Sequence, residues 1–250
     1  MWAVLLLTGA AFAWWRERRR SGLSALDFLF YETVYIYCRL WHRWSCRLAA
    51  RLPASGPMLI VSNHTCSADP TFIYAAMPRP VGYLMSVQHF NLNAFTHWVC
   101  RHLHCVPVRR DGRDPVALRQ ALRRLREGVA LCIFPEGNLS GIAHEHILPG
   151  KMGTAFMALA TRAPVFPVYI HGGPRTHHLL RSWLLPSPRA VRVFVGPPLD
   201  LSRFLERPRS HALYEELTAF VMHEIAGLRP RPPAPRMKKE AIVRDLLPVT

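Results

Sequence analysis

Acid is scarce in this chain. Its 250 residues carry 16 Asp plus Glu against 32 Lys plus Arg, a formal net charge of +16, and the basic residues are nearly all arginine. Such an imbalance favours anionic partners: nucleic acid, membrane lipid or a phosphorylated substrate. Zinc-ligand spacing, an RNP-like aromatic string and a helix-turn-helix signature are all missing, which disfavours nucleic acid. No G-x-S-x-G elbow and no Walker loop occur, so hydrolase-type serine chemistry and P-loop phosphate binding are set aside. The pairs His102 with His104, His144 with His146 and His177 with His178 lack the spaced carboxylate or i,i+4 partner of a catalytic zinc site, and no metal is expected. The six cysteines form no paired framework, and Cys132 lies in an apolar run where reduced thiols pack; a reducing, cytosolic side follows.

What the chain does have is apolar surface beside basic clusters. Half its residues are hydrophobic, and that juxtaposition favours a membrane surface. Met1 to Trp15 is uninterrupted apolar sequence, followed by Arg16-Glu17-Arg18-Arg19-Arg20. The charge follows the apolar run, unlike a secretory signal. As a helix the run would be about 22 Å long against a hydrocarbon core of ~30 Å, so spanning and lying in the interface both stay open. A second helical stretch is expected from Leu23 to Leu52, with Arg39, Arg43, Arg47 and Arg51 forming one basic stripe. Residues 1–52 are therefore read as membrane-anchoring helices, with the basic end on the cytoplasmic face.

The body of the chain alternates strand-like and helical segments. Apolar runs mark strands at Met58–Ser62, Pro80–Ser86, Cys105–Arg109, Val129–Phe134, Ala163–Ile170 and Val191–Val195. Helices are expected after Pro70, over Pro115–Glu127, over Thr154–Arg162 and over Ser210–Leu228. The result is an α/β domain with a central sheet flanked by helices. Pro167, in the middle of its strand, implies an edge position or a bulge. From Arg229 the tail is basic and proline-rich, and disorder is expected for 229–250.

Several groups sit at strand ends, where open α/β sheets place ligands. His64 follows the strand Met58–Ser62, and Asp69 precedes Pro70, which suits a first helical position and makes Asp69 the N-cap. An imidazole oriented by a carboxylate can take a proton from a hydroxyl at neutral pH. The same residues equally fit a helix cap and a satisfied turn histidine. Arg110 enters a turn marked by Asp111-Gly112, as a phosphate grip or as plain surface charge. Glu136 and Gly137, followed by Asn138, sit directly after the strand Val129–Phe134, and Lys151 opens the approach to the next helix.

His64 with Asp69, Pro107-Val108-Arg109-Arg110, Phe134-Pro135-Glu136-Gly137 and Val165-Phe166-Pro167 occur in that order. Together they closely resemble the four motifs of the PlsC-type glycerolipid acyltransferases, the family of 1-acylglycerol-3-phosphate acyltransferases. The resemblance covers about Pro57 to Ile170 and makes residues 53–228 the acyltransferase domain. It implies a mixed sheet and acyl transfer without a covalent acyl-enzyme. His64 would deprotonate the acceptor hydroxyl and Asp69 would orient the imidazole. The donor would be acyl-CoA or acyl carrier protein, used as substrate, with no cofactor. Arg110 would bind the acceptor phosphate, Glu136, Gly137, Asn138 and Lys151 would belong to the acceptor site, and Pro167 would lie near the acyl pocket. Two positions depart from the family: Asn138-Leu139 replace the usual Thr-Arg, removing one phosphate ligand, and Arg109 replaces an acidic residue. Acceptors other than 1-acylglycerol 3-phosphate, namely another lysolipid or glycerol 3-phosphate, therefore stay open, as does transacylation. A non-catalytic membrane-binding protein on the same scaffold is the reading from another class; the intact His64 and Asp69 weigh against it.

Overall fold

A computed structural model describes residues 22–109, 114–139, 147–176 and 178–230. The expectations for 1–21, for the Asp111-Gly112 turn with Arg110, and for 231–250 lie outside the described residues.

The described residues open with helix α1 (Ala25–Trp41), whose N-cap Ser24 accepts from Asp27 N–H. Strand β1 (Ser45–Leu48) follows, then β2 (Met58–Ser62) and the short helix α2 (Asp69–Tyr74). Next come β3 (Val81–Ser86), α3 (Val87–Phe90), α4 (Ala94–His102) and β4 (Val106–Val108). Helix α5 (Pro115–Arg126) leads to β5 (Ala130–Ile133), and α6 (Gly153–Thr161) leads to β6 (Val165–His171). The last elements among the described residues are α7 (Leu179–Leu184), β7 (Arg192–Val195), α8 (Ser202–Leu205) and α9 (His211–Gly227).

The expected helix over Leu23–Leu52 is half right. It stops at Trp41, Arg43 adopts a left-handed φ of 49°, and the chain then extends into β1, which pairs parallel with β7. Arg39 is on the helix, Arg43 is in the break and Arg47 is on a strand, so the four-residue spacing makes no stripe. The reason is tertiary. The indole N–H of Trp44 donates to Phe72 O, and Trp44 is buried against Tyr35, so the chain must turn inward there.

Among the described residues, seven strands form one mixed sheet in the order β1-β7-β6-β2-β5-β3-β4, parallel except for the antiparallel pair β6–β7. Strand β2 is completely buried, because both of its faces are covered. Met58 and Ile60 join the core beneath α1, α2 and α4; Leu59 and Val61 join the core beneath α5, α6 and α9. The period-2 alternation of the strand thus fills two cores from one apolar run. On the second side, Ala155 and Ala158 are fully buried, so α6 lies close against the sheet.

Pro167 is neither at an edge nor in a bulge. It lies in β6 opposite Val61 of β2, with β7 on its other side. Gly196 N–H donates to Pro167 O at 2.9 Å, and the reciprocal N–H is the one proline lacks. The β6–β7 ladder ends at that pair, where the chain leaves β7, so the missing donor costs no internal rung.

Candidate active site

Strand β2 lies between β6 and β5 and runs parallel to both, so the carboxyl ends of the three share one edge of the sheet. That edge receives His64 after β2, Glu136 after β5 and the Gly172-Gly173 turn after β6. Asn63 fastens the edge: its amide donates to Ile170 O at 3.0 Å and its carbonyl accepts from Ile170 N–H at 2.7 Å. The side chain thereby continues the β2–β6 ladder one rung beyond the strand, and His64 starts from a fixed backbone.

His64 Nδ1 lies 2.9 Å from Asp69 Oδ2; the imidazole is 15 % exposed and the carboxylate fully buried. Asp69 does not cap α2. It is the first residue of the helix, the N-cap position is Ala68, and no side chain caps that end. The carboxylate instead gathers donors from the preceding turn. Oδ2 accepts from the backbone N–H groups of Thr65 and Cys66, and Oδ1 accepts from the Thr65 hydroxyl at 2.9 Å and the Cys66 thiol at 3.3 Å. These bonds compensate the desolvation of a buried carboxylate and lock its orientation. Burial, and next the Asp69 charge, push the Cys66 thiol up, so it remains a donor. A carboxylate is an acceptor, so Nδ1 carries the ring proton and Nε2 holds the lone pair. Nε2 makes no hydrogen bond among the described residues.

The His64 ring lies flat on Phe134, with centroids 4.0 Å apart and planes at 16°. With Asp69 on one edge and Phe134 on one face, the ring has little freedom to rotate. Gly173 closes the side nearest the carboxylate: a Cβ there would stand 3.2 Å from Thr65 Oγ1.

Glu136 is brought to the same place by its backbone contacts. Oε1 accepts from His64 N–H at 2.8 Å and Oε2 from Leu148 N–H at 3.0 Å. Burial pushes its carboxyl up, and the two N–H bonds hold part of that rise back. It supports the backbone of His64 and pins the 147–152 segment. That segment and α9 border a cleft of about 780 Å³, with Leu148, Met152, Thr218 and Met222 in its wall. Gly137 has φ 75°, and a Cβ on it would come within 2.8 Å of Lys151 Nζ. Lys151 therefore lies across Gly137, and its own N–H donates to Pro135 O. Asn138 is exposed beside them. Pro167 is separate, three residues before the His64 level and inside the sheet.

Asn63, Thr65, Phe134 and Gly173 complete the site although they do not stand out in the sequence as site residues. Asn63 and Thr65 flank His64, and Phe134 opens the Pro-Glu-Gly turn, so adjacency was their one local signal. Gly173 had none, because its role is a contact across the sheet.

Residues 43–171, just over half the chain, match the Acyltransferase family. A 1-acyl-sn-glycerol-3-phosphate acyltransferase of Bacillus subtilis is 24% identical over 163 residues, covering 65% of this chain and 76% of that one. An N-acylphosphatidylethanolamine synthase of Arabidopsis thaliana is 27% identical over 59% of this chain and 57% of its own length. A Dictyostelium discoideum protein named taffazin is 28% identical over 58% and 53% respectively. The chain thus spans little more than half the length of the latter two. The solved 1-acyl-sn-glycerophosphate acyltransferase PlsC of Thermotoga maritima superposes with a TM-score of 0.58 at 22% identity, covering 86% of this chain and 88% of that one, a likeness of fold. The chain belongs to the Acyltransferase family, in its PlsC-type glycerolipid branch.

Proposed function

We propose that the protein transfers a fatty acyl group from a thioester donor, acyl-CoA or acyl carrier protein, to the hydroxyl of a lysophospholipid, with 1-acylglycerol 3-phosphate as the acceptor. The observation that carries this reading is the His64–Asp69 pair, with its buried, fivefold-bonded carboxylate on Nδ1 and an Nε2 that makes no hydrogen bond among the described residues. Nε2 takes the proton of the acceptor hydroxyl as the oxygen attacks the thioester carbonyl, and Asp69 stabilises the imidazolium. Collapse of the tetrahedral adduct breaks the carbon–sulfur bond, and Nε2 returns the proton to the departing thiolate. The product is an ester and a free thiol, with no acyl-enzyme. Glu136 acts as a positioning residue through His64 N–H. Lys151, beside Gly137 and Asn138, is the cation in this part of the site for an acceptor phosphate, together with Arg110. The domain works at a membrane surface, on its cytoplasmic side, where the acceptor resides.

Asn138 and Leu139, standing where the family has Thr and Arg, favour a second reading: an acceptor with a different head group, such as a lyso-aminolipid. The relative named for N-acylphosphatidylethanolamine synthesis is consistent with acceptors varying on this scaffold. Purified protein assayed with acyl-CoA and acyl carrier protein against a panel of lysolipids separates the two. Ester formation on 1-acylglycerol 3-phosphate that disappears in His64→Ala supports the first; transfer confined to another lysolipid supports the second. Transfer undiminished in His64→Ala overturns both.

A further inference from the structure

Among the described residues, the exposed large apolar side chains are not scattered. Apart from Leu48 and Val116, all lie on or beside α1, α4 and α7. On α1, Leu26, Leu29, Ile36 and Leu40 follow one face of the helix, and Leu40 is 78% exposed. Helix α4 adds Phe95 and Trp98, and α7 adds Leu180, Trp183 and Leu184.

The three elements are joined at their polar edges. Tyr37 stacks on Trp183 and donates to its carbonyl, and the Trp41 indole N–H donates to Leu184 O at 3.1 Å. On the other side, Trp98 stacks on His102, whose Nε2 lies 2.7 Å from Asp27 Oδ1. The Tyr37 hydroxyl, the Trp41 indole N–H and the Trp183 and Leu184 carbonyls are thus engaged within the protein, while the apolar side chains beside them stay exposed. Monomeric soluble proteins rarely leave an apolar patch this extended uncovered.

Charge says what covers it. Helices α4 and α7 contain no carboxylate, and α1 contains two, Asp27, which is engaged by His102, and Glu32. Arg39, Arg101 and Arg181 are exposed on the same three helices, with Arg175 and Arg189 flanking α7. Aromatic and aliphatic side chains rimmed by arginines suit the headgroup–acyl boundary of an anionic bilayer.

We infer that α1, α4 and α7 together form a lipid-docking face of the folded domain, separate from the apolar run 1–15, that seats the domain on an anionic bilayer surface. It rests on the acyl-transfer reading only in that a membrane supplies the acceptor. Residues 1–15 would tether the chain, whereas this face would set the orientation of the domain.

The full chain labelled with 5-fluorotryptophan is bound to phosphatidylglycerol–phosphatidylcholine vesicles carrying spin-labelled lipid. The Trp41, Trp98 and Trp183 resonances are assigned by single Trp→Phe replacements. They should lose most of their intensity, while buried Trp44 is spared and serves as the internal reference. Attenuation of Trp98 and Trp183 no greater than that of Trp44 overturns the inference, whether residues 1–21 or a second copy then cover the face. A lipid-free dimer in sedimentation that Trp98→Ser with Trp183→Ser dissociates would also overturn it, since the face would then be a protein interface. Turnover of a short-chain soluble acceptor, retained in that double variant, tests the acyl-transfer reading separately.

Discussion

Two histidines pack on the same side of the sheet and have opposite fates. His42 is completely buried; Nδ1 lies 2.7 Å from Ser187 Oγ, Nε2 lies 2.9 Å from Tyr37 Oη, and the ring meets Phe72 edge to face. Tyr37 gives its proton to Trp183 O, so Nε2–H donates to Tyr37 and Nδ1 accepts from Ser187. Among the described residues no carboxylate touches the ring, and burial brings its pKa down to about 4. His64 has the reverse arrangement: a buried carboxylate on one nitrogen, a partly open ring, and the other nitrogen unbonded among the described residues. Both are single histidines in a sequence that has thirteen. What separates a histidine that joins elements from one equipped to move a proton is the charge of its partner and the access to its second nitrogen.

The largest test of that contrast is on His64 itself. His64→Ala should reduce turnover by about 10²–10⁴-fold while leaving the thermal midpoint close to that of the parent, because the ring lies at the surface of the core. A collapse of the midpoint would mean that the pair serves the fold. Asp69→Asn should act on both quantities. Turnover should fall about 10³–10⁴-fold as the imidazolium loses its counter-charge. An amide can replace only part of the acceptor capacity offered to Thr65 and Cys66, so stability should also drop by about 1–3 kcal/mol. A simple helix cap would tolerate asparagine at little cost; an unchanged denaturation midpoint would restore the capping role that the structure denies.

For His42 the readout is acid sensitivity. Its folded pKa lies below the ordinary 6.5, so between pH 6.5 and about 4 the unfolded chain binds more protons than the folded one. The stability that depends on the neutral ring is complete above pH 6.5 and is lost as pH falls through the folded value, by on the order of 1–3 kcal/mol. Urea midpoints at pH 7 and pH 4.5 should therefore lie closer together in His42→Gln than in the parent; an identical acid loss in both would assign it to other groups. The smallest effect is expected at Gly137→Ala. A side chain at φ 75° is strained by about 1 kcal/mol, and its Cβ displaces the Lys151 head. The Michaelis constant for a phosphate-bearing acceptor should rise more than kcat falls. Equal changes for a neutral acceptor would remove Lys151 from phosphate binding.

Much of this was legible from local sequence. Strand β2 reads directly as a buried apolar run, and α5 as a helix starting at Pro115 and ending before Gly128, because in both the pattern and the end signals agree. The base and its carboxylate were legible as a pair. Their geometry was not, since the roles of Asp69 come from Thr65 and Cys66 folding back onto it. The Arg39-Arg43-Arg47-Arg51 periodicity misled for a similar reason. Spacing carries no information about Trp44 burying itself against Tyr35 and ending the helix.

Residue order by itself determined an α/β domain with a histidine and a carboxylate at a strand end, and four motifs whose resemblance pointed to the acyltransferase family. Those properties depend on residue types and near-neighbour spacing, which the linear chain states in full. The tertiary structure alone decided that Asp69 is a buried acceptor rather than a cap, that Glu136 holds the His64 backbone, that Pro167 sits in the interior of the sheet, and that α1 meets α4 through Asp27 and α7 through Tyr37. Each of these depends on atoms brought together from distant parts of the chain, where burial and the hydrogen bonds it demands determine the role of a side chain.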